Sequence, residues 1–60
     1  MQNATKQELE ALVALTRKHL EATEQAVKIG SLPDVLMCTA DLMDAAAKME
    51  DNTAKAALDD

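Results

Sequence analysis

The chain has 60 residues and no Phe, Tyr or Trp, so it forms one small domain, 1–60, without the large area that aromatic side chains bury. Its one cysteine, Cys38, excludes an internal disulfide, and its one histidine, His19, leaves too few soft ligands for a structural zinc site. Six Lys and Arg against eleven Asp and Glu give a net charge of −5, a balance that favours solubility and disfavours polyanions.

The opening Met1-Gln2-Asn3-Ala4-Thr5-Lys6 lacks the apolar run of a signal peptide, and no segment reaches the length of a membrane span. A cytoplasmic protein is the expectation. Thr5-Lys6-Gln7-Glu8 spells a capping box, in which the Thr5 hydroxyl accepts from the Glu8 amide and the Glu8 carboxylate accepts from the Thr5 amide. A first helix is therefore predicted over about 6–29. Gly30 supplies the left-handed residue that ends helices. Ser31 then caps a second helix, Pro33 sits in its first turn where no N–H is needed, and Asp34 complements the helix dipole. That helix is predicted over about 32–58, with Asp59 and Asp60 fraying. Two long helices joined by so short a turn must run antiparallel as neighbours, so the fold class is all-α, a two-helix hairpin.

Steps of about 100° per residue sort the side chains by face. On the first helix Leu9, Leu12, Val13, Thr16, His19, Leu20, Thr23, Ala26 and Val27 fall on one side. On the second, Val35, Leu36, Thr39, Leu42, Met43, Ala46, Ala47, Thr53, Ala54 and Ala57 do so, while Asp34, Asp41, Lys48, Asn52 and Lys55 face away. Both apolar arcs are wider than one partner helix covers, and short domains of this size usually need a further source of stability. A homodimeric four-helix bundle is the expected remedy. Its predicted core is Leu9, Leu12, Val13, Leu20, Val27, Leu36, Leu42, Met43 and Met49.

The polar residues suggest recognition over chemistry. No Gly-rich phosphate loop, nucleophile elbow or paired catalytic carboxylates occur, so no enzyme, catalytic residue, metal, cofactor or small-molecule substrate is expected. His19 lies on the apolar side, away from Glu50, and reads as a packed histidine. Cys38 reads as a half-buried small hydrophobe. Leu32 and Met37, near the turn, are the candidate partner-binding residues. Lys6, Arg17 and Lys28 recur every eleven residues on one stripe, interleaved with Glu10, Glu21 and Glu24, and the pairs Lys6–Glu10, Arg17–Glu21 and Glu24–Lys28 have the i,i+4 spacing of helix ion pairs.

Thr5-Lys6-Gln7-Glu8 followed by Ala11-Leu12, then Leu42, Asp44, Ala46 and Met49, together with Cys38 and the closing Asp59-Asp60, make the chain resemble the Rop (repressor of primer) family of plasmid copy-control proteins. The resemblance implies hairpins paired into a four-helix bundle that binds two kissing RNA hairpins. Carried over residue by residue, Lys6 and Lys28 match two lysines of the family's RNA face. Val13 stands at its asparagine, Arg17 at its phenylalanine and Glu21 at its glutamine. The acidic balance, the absent aromatics and Met37 favour one expectation, and the resemblance with the basic stripe favours another. The first is a phage- or plasmid-encoded regulator that binds a protein partner. The alternative is a Rop-like RNA modulator of plasmid copy number that uses Lys6, Arg17 and Lys28.

Overall fold

The computed structural model describes residues 1–59, and among them the chain forms two helices, α1 (Asn3–Ile29) and α2 (Leu32–Asp59), folded back on each other as a hairpin. Its extents of 44 × 15 × 9 Å are those of a pair of rods. The radius of gyration is 13.9 Å, against about 10 Å for a compact domain of this length.

The turn forms as its residues dictate. Gly30 adopts φ 81° and ψ 23°, a left-handed conformation open to glycine at little cost. Its N–H donates to the Ala26 and Val27 carbonyls at 3.0 and 3.1 Å, and the Ser31 N–H donates to the Ala26 carbonyl at 3.1 Å. These bonds satisfy the Ala26 and Val27 carbonyls in a Schellman arrangement. The Ser31 carbonyl then accepts the first bond of α2, from the Val35 N–H at 2.9 Å. The Ser31 hydroxyl donates to the Asp34 carboxylate at 2.9 Å, tying the entry of α2 to the acidic residue of its first turn.

The start of α1 corrects the sequence expectation of 6–29. The helix begins a turn earlier, at Asn3, with Gln2 in extended conformation before it and no side-chain cap. The Gln2 carbonyl accepts from the Lys6 N–H at 3.0 Å, so Thr5 is already helical and the capping box does not form. Thr5 is half-buried instead. At the other end α2 includes Asp59, and the expected fraying of Asp60 lies outside the described residues.

Burial shows which residues meet between the helices. Thr5, Leu9, Leu12, Thr16, His19, Thr23 and Ala26 of α1 are buried or half-buried, and they alternate in steps of four and three. Ser31, Val35, Cys38, Leu42, Ala45, Met49, Asn52 and Ala56 repeat that pattern through the turn and α2. This is the 3.5-residue spacing of a coiled-coil seam. Positions equally far from the Gly30–Ser31 junction share a height, which sets Ala26 beside Val35, Thr23 beside Cys38, His19 beside Leu42, Thr16 beside Ala45 and Leu12 beside Met49. Asn52 is a second correction. It was expected to face away but closes the seam at the height of Leu9, because the seam runs along the edge of the second apolar arc and leaves its centre uncovered.

Two seam threonines, and one beside the seam, bond within their own helices. The Thr16 hydroxyl donates to the Leu12 carbonyl at 2.7 Å, Thr23 to His19 at 2.8 Å, and Thr39, beside the seam, to Val35 at 2.6 Å and Leu36 at 3.0 Å. Such bonds absorb a polar group that would otherwise be costly to enclose.

Candidate interaction surface

The hairpin encloses little. Ala26 and Ala45, at 5% and 2% exposure, are its buried hydrophobic residues, while Val13, Leu20, Val27, Leu36 and Met43 stand open. The nine residues expected to form one dimer core therefore divide in two. Leu9, Leu12, Leu42 and Met49 lie half-buried in the seam, and the other five lie beside it, with Leu36 and Met43 exposed at 73% and 72%.

Helix geometry gathers those five on one side. Val13, Leu20 and Val27 each follow a seam residue of α1 by one position, and Leu36 and Met43 each follow a seam residue of α2. One step forward turns the same way about each right-handed helix. Because the two helices run oppositely and face each other, both steps emerge on the same face of the hairpin. Leu32, also exposed, follows Ser31 and joins this face at the turn. On α2 the face widens over Ala40, Ala47 and Ala54, and Glu50 is its one acid there. By the same step Glu10, Arg17 and Glu24 of α1 and Thr39, Ala46 and Thr53 of α2 also lie on this side, so the face is mixed with polar groups along its length. At its open end an apolar hollow of about 520 Å³ is lined by Met1, Lys6, Leu9, Glu10 and Val13.

The accessible surface reports the same imbalance. The chain exposes 4704 Å², whereas compact monomers of this mass expose about 3800 Å². The surplus, about 900 Å², matches the roughly 800 Å² that one partner contributes to an interface of standard size.

The remaining candidates separate. Leu32 and Met37 are both exposed, but five residues along α2 turn them about 140° apart, so Met37 lies on another side from the apolar face. Lys6, Arg17 and Lys28 are exposed along one stripe at the edge of that face. Among the described residues the expected pairs with Glu10, Glu21 and Glu24 do not form within 4.0 Å. Two i,i+4 pairs within α2, Lys48–Asp44 at 3.3 Å and Lys55–Asp51 at 2.9 Å, do form, on the side opposite the face. His19 is half-buried in the seam and Glu50 is exposed on the apolar face, eight residues beyond the height of Leu42. Cys38 is a free thiol, half-buried in the seam.

Among the described residues no three His, Cys, Asp or Glu side chains gather where they could hold a metal ion, and no helix is long and apolar enough to cross a membrane. No family model matches the chain, and neither a curated protein nor a solved structure resembling it was found. The surface sequence reasoning missed is the split itself. Its signal was present in the four-and-three spacing of small and polar residues, which marks a seam that a search for apolar residues alone passes over.

Proposed function

We propose that the chain is a small non-enzymatic regulator that binds another macromolecule, a protein in the first instance, as a homodimeric four-helix bundle. The observation that carries this reading is the exposed face of Val13, Leu20, Val27, Leu36 and Met43 beside a seam whose buried residues are two alanines. Helices held by so little buried area are marginal in water. Covering five large aliphatic side chains, each contributing roughly 1.5–3 kcal/mol when fully buried, supplies what the lone hairpin lacks. A second copy provides that cover, and the assembled acidic bundle presents rigid helix faces to its partner. The net charge of −5 favours a protein over a polyphosphate chain. A regulator of this size encoded by a phage or plasmid and acting in the cytoplasm fits the composition.

Sedimentation equilibrium on the full chain tests the assembly. A dimer at micromolar concentration is the expected result, and a folded monomer there overturns the reading. Capture with tagged chain, followed by mass spectrometry of what is retained through a salt wash, then addresses the protein partner.

One observation favours an RNA partner as a second reading: among the described residues Lys6, Arg17 and Lys28 are exposed and free of ion pairs. A gel shift with structured RNA across a salt series separates the two. Salt-sensitive binding that is lost in Lys6→Ala/Lys28→Ala supports RNA, because each phosphate contact releases counterions. No binding at low salt leaves the protein partner.

A further inference from the structure

Burial decides whether a chain this short holds its fold alone. An unfolded chain of 6.4 kDa exposes about 9300 Å², and the hairpin still exposes 4704 Å². Folding back on itself therefore removes about half of that surface from water, less than the roughly 60% at which a domain of this length is already marginal. The share reaches about 60% once the surplus of about 900 Å² is covered as well.

What joins the two helices is correspondingly thin. The side-chain hydrogen bonds and ion pairs named above link residues three or four positions apart, so none of them ties α1 to α2. The seam is closed by half-buried side chains and by Ala26 and Ala45. At the open end α1 starts without a side-chain cap or an acidic residue in its first turn, and α2 has no basic residue in its last. Both helices thus lack favourable terminal charge where fraying begins. Helices of 27 and 28 residues draw most of their stability in water from packing.

We infer that folding and self-association are a single step: the helices, and the recognition surface they carry, persist only above a threshold concentration of the chain. Resting on the homodimer proposed above, this coupling adds its regulation. Two unfolded chains give one dimer, so at low abundance the active form rises with the square of chain concentration, and unassembled chain is open to proteolysis. A hairpin that stayed folded on dissociation would instead keep its surface at every concentration.

Circular dichroism and sedimentation on one dilution series of the full chain test the coupling. Helix signal should fall by at least half across the concentrations at which the dimer dissociates, and the thermal midpoint should rise with concentration. Undiminished helix signal from dissociated chain overturns the coupling and leaves the homodimer standing. A folded monomer at every concentration, micromolar included, overturns the homodimer as well. Should the dimer persist to the lowest concentration, Leu20→Lys/Met43→Lys brings dissociation into range. The dissociated variant should lose its helix signal and be cleaved by a nonspecific protease at least tenfold faster than the assembled chain. Raising its concentration should restore both. A helical, protease-resistant variant monomer overturns the coupling, and so does helix loss that concentration fails to restore.

Discussion

Thr16, Thr23 and Ala45 line the contact between α1 and α2, while Leu20, Leu36 and Met43 stand one helical step away in the open. The two regions perform different tasks. Small side chains at the seam let the helix axes approach closely and set their register, but they contribute little area. Leu9, Leu12, Val35, Leu42 and Met49 are half-buried in the seam, while the large side chains outside it hold hydrophobic free energy that a single hairpin leaves unrealised. Register is set at the seam, and a share of the available stability lies on the surface beside it.

The sharpest way to break that comparison is to charge the outer face. Leu20→Lys/Met43→Lys should weaken self-association at least 100-fold, about 2.7 kcal/mol, measured by sedimentation over a concentration series. Were the face ordinary surface, the pair would shift stability by no more than about 0.5 kcal/mol per site, and the unfolding midpoint would not depend on concentration. The complementary change overfills the seam. Ala45→Leu forces a large side chain into a position with 2% exposure, and should cost about 1–3 kcal/mol by thermal denaturation. Equal tolerance of leucine there and on the outer face would erase the distinction.

Smaller effects sharpen it. Nothing lies within 4 Å of a Cβ built at Gly30, so Gly30→Ala meets only the penalty of its φ of 81°, a loss of about 1 kcal/mol in chemical denaturation. Thr23→Val removes a hydroxyl that bonds within its own helix and leaves a methyl group in the seam. The change should stay within about 0.5 kcal/mol; a larger loss would mean that the threonine hydroxyls do more for the seam than satisfy themselves.

The turn was legible because Gly30 and Asp34 each favour one local arrangement for a separate physical reason; Ser31 opens α2 as expected, but its hydroxyl donates to the Asp34 carboxylate instead of accepting from a backbone N–H. The start of α1 was not legible, because Thr5-Lys6-Gln7-Glu8 serves equally as a cap or as helix interior. The Gln2 carbonyl, by accepting from the Lys6 N–H, selects the second. The placement of the faces failed for a different reason. Hydrophobicity averaged around each helix points between the seam and the outer face, since Leu9 and Leu12 belong to one, and Val13 and Leu20 to the other. The sum therefore merges them into one broad arc. What separates them is the heptad spacing of Thr16, His19 and Thr23, residues that add nothing to an apolar average yet close the seam.

The turn also interrupts the heptad count. The stripe of α1 ends at Ala26 and that of α2 resumes at Ser31, five residues on, where an unbroken repeat would continue after four. Were Gly30 to straighten and fuse the two rods into one, their contact stripes would point about 140° apart, and no single neighbouring rod could engage both. Exchange of arms between chains is thereby disfavoured by phase alone, and the folded-back topology is written into the numbering of the stripes as firmly as into the glycine that bends them.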